Sequence, residues 1–427
     1  MESSEVFSDR TALERHQRQR LGALLAAVLA ANSFYRTKLE RAGIGTADDI
    51  CAPADYARLP LTTKHELSED QIAHPPFGTN LSAPLEHYHR LHQTSGTTGV
   101  PLRWLDTPES WRWWSDCWAA VYRGAGVTDA DRIFFAFSFG PFIGFWSALA
   151  GAEALGALVI PGGGMSSEQR LHHLLDNRAT VLVSTPTYAL HLGEQARRSG
   201  VDLAAAGVRV TIHAGEPGAG IEATRARIEA LWGARCFDHA GATEIGAWGF
   251  ECEHRNGLHI NEEHFIAEVL DPATGAPADE GELVLTNLGR AAMPVIRYRT
   301  GDHVRLDRAP CACGRSFVRC LGGVLGRIDD AIIVRGVNVF PSAIENIVRR
   351  HLEAGEFQIE VSRREEMDEL VLRIECDRGR GEAIAAEIRR QLGLRIGLVI
   401  AAPDSLPRYE LKSRRYIDRR HEQSRAA

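Results

Sequence analysis

Several short strings of this 427-residue chain hold residue types that bind anions and cations. The first, HQTSGTTGVP (92–101), sets Thr94, Ser95, Thr97 and Thr98 around Gly96 and Gly99, ahead of Pro101. Hydroxyls and backbone N–H groups at that density can wrap an anion, and glycine lets the backbone approach it closely. The string is not a Walker A loop, because the G-x-x-x-x-G-K-[ST] spacing and its lysine are absent. A polar surface turn is the plain alternative. AGEPG (214–218) and DHAGATEIG (238–246) each close a strand candidate, and ligands of open α/β sheets gather at strand C-terminal ends. Glu244, in a Gly-flanked turn, offers carboxylate oxygens to Mg²⁺ beside phosphates, although a lone turn glutamate is usually just solvated. In YRTGD (298–302), Asp302 can accept two hydrogen bonds from ribose hydroxyls, and GRIDD (326–330) supplies Arg327 for ribose or phosphate. LPRYELK (406–412) ends on Lys412, whose plain reading is a solvated charge in the basic tail KSRRYIDRR.

The elements that must carry these groups are legible from periodicity. Apolar strand candidates at 131–139, 157–161, 180–185, 208–215 and 234–240 alternate with helical patterns, the arrangement of a parallel sheet covered on both faces. From His259 the pattern changes to shorter alternating strands, which predicts a β-rich subdomain on the α/β body. After GRIDDAIIVRGVNVFP the order helix, strand, strand, helix, strand predicts a small α+β C-terminal domain. The first amphipathic pattern reads as one helix from about Thr11 to Ala42. The expected fold class is therefore α/β, with a large N-terminal body (1–328) and a small α+β lid (329–427).

Composition sets the bounds. The chain is 44% hydrophobic and 25% charged, with mean hydropathy −0.19, so it can bury a large core. A net charge of −7 predicts no nucleic-acid partner. The longest apolar run, Leu21 to Ala31, falls well short of the ~20 residues that cross a bilayer, so no membrane partner is expected. Eight scattered cysteines without a secretion signal read as reduced thiols in the cytoplasm.

Taken in order, TSGTTGVP, AGEPG, AGATEIG, GLHINEEHF, MPVIRYRTGD, CACGR, GRIDDAIIVRGVNVFPSAIE and LPRYELK resemble the adenylate-forming (acyl-CoA synthetase) superfamily, specifically its phenylacetate–CoA ligase-like branch. The resemblance covers nearly the full chain. It implies a two-step ligase: a carboxylate attacks the α-phosphorus of ATP with Mg²⁺, then a thiol, usually that of coenzyme A, displaces AMP. It further implies that Thr94, Ser95, Gly96, Thr97 and Thr98 cradle the β/γ-phosphates. Gly215, Glu216 and Pro217 would border the adenine, Asp238 and His239 would also belong to the cofactor site, and Thr243 would touch the α-phosphate. Glu244 would hold Mg²⁺, and Asp302 and Arg327 the ribose. Asp329 would be the hinge of a rotating lid that delivers Lys412. Loading of a carrier protein or an amine in place of CoA is the close variant, a zinc-stabilised nucleotide binder without catalysis is the competitor, and a homodimer is left open.

Some positions depart from the family pattern. Val100 stands where the phosphate loop usually has lysine, with Arg103 or Arg297 as candidate substitutes. Ala240 replaces the usual adenine-stacking aromatic, and Leu411 replaces a glycine beside Lys412. Cys252, His254, His259, Cys311 and Cys313 could form a structural Cys₃His zinc site. Relatives carrying CxCGR tend also to carry C…GLH, which favours His259 over His254. The alternative is a set of reduced buried thiols. The acid is expected near FSFGPFIGFW, with Phe139, Phe142, Tyr188 and Gly241 around an aryl ring and with His213 and Ser138 as hydrogen-bond partners for a ring substituent.

Overall fold

The computed structural model describes residues 7–94, 101–328, 332–334, 337–352, 355–364, 367–408 and 415–419. Its centre is a 12-stranded sheet that changes character midway. One half is parallel, in the order Leu158–Pro161, Arg132–Phe135, Val181–Ser184, Val210–His213, Arg235–Ala242. The inner three of these strands are almost wholly buried, because helices cover both faces and leave no side for polar residues.

From Arg235–Ala242 onward every pairing is antiparallel, through Gly246–Phe250, Leu258–Ile260, Arg319–Cys320, Tyr298–Asp307, Glu280–Asn287 and Phe265–Leu270. The β-rich region expected as a subdomain is thus hydrogen-bonded continuously to the parallel half. The helix Pro108–Gly124 seals the junction, burying Trp113, Trp114 and Trp118 in the main core. A glycine is required at 289, since a Cβ there would run into the Trp113 ring.

The expected first helix is broken in two, Arg10–Ala31 and Ser33–Arg41. Asn32 makes the break. Its side chain caps the second helix by accepting from Tyr35 N–H at 3.0 Å and donates to Asn80 Oδ1 at 2.9 Å. A separate hairpin, Arg90–Gln93 with Arg103–Asp106, brackets the candidate phosphate loop.

Toward the C-terminus a four-stranded sheet runs Gly397–Ile400, Met367–Ile374, Phe357–Arg364, Tyr416–Asp418. The helices Pro341–His351 and Arg378–Leu392 bury Ile344, Ile347, Ile384 and Ile388 in that sheet's own apolar cluster. The segment expected as a solvated basic tail is in part structural. Tyr416–Asp418 pairs in parallel with Phe357–Arg364, and Arg415 is buried against Glu356 at 2.6 Å. No helix among the described residues is long and apolar enough to cross a membrane.

Candidate active site

The chemistry-bearing strings follow the C-terminal ends of adjacent parallel strands: 136–142 after Arg132–Phe135, 185–188 after Val181–Ser184, and 214–218 after Val210–His213. The turn at Thr243–Glu244 leaves the end of Arg235–Ala242. That turn is pinned from below by a buried ion pair. Arg290 donates to both Asp106 oxygens, at 2.8 and 2.7 Å, and a third N–H reaches the Thr243 carbonyl at 2.8 Å. Asn287 Nδ2 holds the Ile245 carbonyl at 3.0 Å. Both partners of the ion pair are fully buried, so removing either would strand a charge and loosen the turn.

Glu244 is buried at this turn and meets Lys64 Nζ at 3.3 Å. Lys64 is brought there by pairing two residues earlier, since Thr62 N–H donates to the Arg297 carbonyl and Arg299 N–H to the Thr62 carbonyl, each at 2.9 Å. The capping box Thr63–Glu66 then starts the helix Lys64–Ala73. The proposed substitutes for a loop lysine are engaged elsewhere. Arg297 binds Glu268 at 2.8 Å and the carbonyls of Ala57 and Leu59, while Arg103 Nη1 reaches the Pro76 carbonyl at 3.1 Å. Lys64 is the residue that sequence reasoning missed.

On neighbouring strands Asp302 and Arg327 are in register, with Nη1 donating to Oδ1 at 3.0 Å and to the Thr300 carbonyl at 2.6 Å. The positive φ of Gly301, +74°, and the nearness of the Arg327 guanidinium leave no room for a side chain there. Tyr298 lies close to Glu244, Arg327 and Asp302 alike. Its hydroxyl is pushed well above the ordinary tyrosine range, first by burial and then by Glu244.

The turn 214–218 is tied across to the next strand end, with Glu216 Oε1 accepting from Thr187 N–H at 2.9 Å. Asp238 sits against it, since a Cβ at Gly220 would lie 2.7 Å from Asp238 Oδ2 and one at Gly323 would lie 3.3 Å away. Burial, reinforced by Glu251, lifts the Asp238 carboxyl to about 8 despite Arg225 nearby. His239 Nδ1 faces the Gly249 carbonyl at 2.7 Å, its ring packs on Trp118, and burial takes it down to about 4.

On the acid side, Phe137 is buried and stacks on Phe145, so it serves the core. Phe139 packs against Trp146 at 4.8 Å between ring centroids, and Phe142 and Trp146 are 39% and 37% exposed. Tyr188 is buried, with its hydroxyl 2.9 Å from Ser167 Oγ. Gly241 is exposed, and a Cβ there would lie 3.2 Å from His239 Nε2. His213 departs from the expected substrate contact. It is 0% exposed, and its ring nitrogens face Ser184 Oγ at 3.2 Å and Thr211 Oγ1 at 2.9 Å. Both nitrogens are thus committed inside the sheet.

At the mouth of the phosphate loop, Thr94 N–H donates to the Leu102 carbonyl at 2.9 Å and Thr94 Oγ1 accepts from Leu102 N–H at 3.1 Å. Ser95, Gly96, Thr97, Thr98, Asp329 and Lys412 lie outside the described residues.

A second constellation lies across the antiparallel strands. Cys252, His259, Cys311 and Cys313 each offer one ligand atom, all within 4.8 Å of one another. Cys252 Sγ is 3.8 Å from Cys311 Sγ, and Cys313 Sγ is 3.5 Å from His259 Nε2. Tetrahedral Zn²⁺ with bonds of about 2.3 Å to sulfur and about 2.0 Å to nitrogen requires edges of roughly 3.5 to 3.8 Å. Burial, helped by Arg315 and Arg319, takes His259 down to about 4, leaving a neutral imidazole as a metal ligand needs.

Comparisons with known proteins agree with this geometry. Residues 336–420 match the family model described as the AMP-binding enzyme C-terminal domain. The phenylacetate–coenzyme A ligase of Thermus thermophilus is 34% identical, covering 96% of this chain and 97% of its own. That of Escherichia coli K12 is also 34% identical, covering 96% and 95%. The crystal structure of a 2-hydroxyisobutyryl-CoA ligase in its post-adenylation state superposes with TM-score 0.90 at 29% identity, covering 100% of this chain and 95% of that one. The same ligase in its thioesterification state gives 0.73 at 30% identity, covering 98% and 93%. By sequence, fold and the order of its motifs, the chain belongs to the phenylacetate–coenzyme A ligase-like branch of the adenylate-forming superfamily, whose members are AMP-forming acid–thiol ligases.

Proposed function

We propose that the protein activates an aromatic carboxylic acid as its acyl-adenylate and passes the acyl group to coenzyme A. The reading rests chiefly on the partly exposed aromatic surface formed by Phe139 and Phe142, on the loop after Arg132–Phe135, and Trp146, in the first turn of the helix Ile143–Leu155, at the same end of the sheet as the Glu244 turn. The names of the two bacterial relatives support it.

In the first step the acid's carboxylate oxygen forms a bond to the α-phosphorus and pyrophosphate leaves. Thr94, Ser95, Gly96, Thr97 and Thr98 would hold the β/γ-phosphates through hydroxyls and backbone N–H groups. Glu244 would carry Mg²⁺, which supplies charge neutralisation when bound, and Thr243 would contact the α-phosphate. Asp302 and Arg327 would take the ribose, while Gly215, Glu216, Pro217, Asp238 and His239 would border the adenine. Burial and the neighbouring Glu251 raise the Asp238 carboxyl, which favours its protonated form as a donor to the base. In the second step the thiolate sulfur bonds to the acyl carbon and AMP departs with the shared oxygen. Residues 1–328 would form the adenylation body and 329–427 the lid, turning about Asp329 and bringing in Lys412.

The Cys252, His259, Cys311 and Cys313 cluster would hold a structural zinc ion, tying the end of one strand, the next strand and the loop after a third. The all-protein donor set leaves no open position for chemistry. Eight cysteines without a disulfide among them support a reducing, cytoplasmic location.

The test is ATP–pyrophosphate exchange over a panel of aromatic acids with Mg²⁺, followed by mass detection of products with and without CoA. Exchange with an aryl acid plus an aryl-CoA thioester is the expected outcome. Exchange without a thioester would assign the acyl group to a carrier protein or amine, and no exchange with any acid would overturn the proposal.

A further inference from the structure

Arg170 is buried without a carboxylate counter-charge among the described residues. Among the described residues the buried arginines are Arg170, Arg290, Arg297, Arg319 and Arg415. The last four each pair with a carboxylate: Asp106, Glu268, Asp307 and Glu356. Arg170, at 6% exposure, has no carboxylate partner among the described residues. Burying an unpaired cation is expensive, so a protein that keeps one generally uses it for a ligand.

The surroundings say where that ligand would lie. Arg170 extends from the helix Ser167–Asp176 across the Tyr188 ring, 4.9 Å from its centroid. Its Nε donates to the Gly162 carbonyl at 2.8 Å, and its Nη2 reaches Ser138 Oγ at a loose 3.3 Å. These bonds use two of the five guanidinium N–H donors. Ser138 is exposed and sits beside Phe139 on the loop that carries Phe142. The adjacent Gly163 is close to the same wall, since a Cβ there would lie 3.0 Å from Phe139 Cδ2. The guanidinium therefore stands beneath the aromatic wall, with Ser138 as its link to the open side.

Resting on the aryl-acid reading above, we infer that Arg170, with Ser138, selects acids whose ring carries a second oxygen acceptor, a hydroxyl or a further carboxylate. The acceptor takes hydrogen bonds from both Arg170 and the Ser138 hydroxyl, in place of the weak contact between the two. An unsubstituted ring leaves the guanidinium unsatisfied and is rejected for that reason. A site built to hydrogen-bond a substrate group discriminates strongly against the analogue that lacks it.

Pyrophosphate exchange with benzoate, the hydroxybenzoates and the benzenedicarboxylates tests this, the last two separating a hydroxyl from an anionic acceptor. One substituted isomer should exceed benzoate by roughly 10²-fold or more in kcat/KM. Arg170→Met should collapse that ratio through the KM of the substituted acid, Arg170→Lys should retain part of it, and Ser138→Ala should lower it severalfold. Ser138 is exposed, so the last variant keeps the test alive should Arg170→Met fail to fold. A ratio unchanged in the variants, or a parallel fall for all acids, overturns the inference while leaving the aryl-acid reading intact. Absence of exchange with every acid would instead remove the reading on which it rests.

Discussion

The cation that faces Glu244 comes from outside the phosphate loop. The family pattern drew attention to Val100 and to arginines that were nominally near, yet Arg297 is held by Glu268 and Arg103 by the Pro76 carbonyl. Lys64, far away in sequence, reaches the metal-binding candidate because Thr62 pairs with the strand carrying Tyr298. A sequence reading cannot see this, because the first helix turn after LPLTT has no motif of its own. With Mg²⁺ and nucleotide bound, Lys64 would be free to exchange Glu244 for a phosphate oxygen. Lys64→Met should therefore lower pyrophosphate exchange by roughly 10²-fold, the scale of losing one preorganised transition-state charge. The attack of CoA on pre-formed acyl-adenylate involves no β- or γ-phosphate and should keep its rate. An unchanged exchange rate would show that Lys64 merely shields Glu244. Residue types at the site were thus largely legible, whereas their charge states were not. Asp238 is singled out as a cofactor-site residue by its string, whereas its raised pKa comes from burial and from Glu251, which the string does not show.

At the level of elements, apolar runs such as IFF, VLV and VTI announced the parallel strands, because strands buried on both faces are built mainly of apolar side chains. The junction of the parallel and antiparallel halves into one sheet was not announced. It is decided by pairings such as His239 with Phe250 and Arg319 with His259, whose partners are distant or featureless in sequence. The helix break at Asn32 was hidden for the same reason, since a cap looks like any polar residue until Asn80 meets it. The cysteine–histidine cluster would fasten pairings of this kind by holding a metal. His259 lies on the short strand Leu258–Ile260, Cys252 just past Gly246–Phe250, and Cys311 and Cys313 in the loop before Arg319–Cys320. Short strands hold register poorly, and a metal bridging all of these pieces would fix it. Elemental analysis should find one zinc per chain. Chelation or Cys313→Ser should remove it and lower Tm by on the order of 10 °C. A metal-free protein with unchanged Tm would leave only reduced buried thiols.

For the whole molecule the decisive variable is where the C-terminal sheet sits on the body. One relative's two states score 0.90 and 0.73 against this chain at nearly equal identity, so the difference reflects arrangement rather than divergence, and this chain superposes better on the first of them. A polar contact across that seam is specific. Arg415, held by Glu356 within the C-terminal sheet, reaches Thr187 Oγ1 at 3.3 Å, and Thr187 N–H in turn donates to Glu216 in the turn at 214–218. Such a contact is weak enough to be exchanged for others on rotation, and it stands a few residues from Lys412. If the lid alternates, Lys412 serves only the arrangement in which the acid meets ATP. Its ammonium would bridge carboxylate and phosphate oxygens there and be swung away before the thiol attacks. Lys412→Ala should then lose adenylation by roughly 10²-fold or more while still consuming pre-formed acyl-adenylate and CoA at close to the original rate. Stopped-flow or quench measurements of the separate half-reactions give both numbers. Equal loss in the two would mean that the lysine acts from one fixed position and that the C-terminal sheet does not turn.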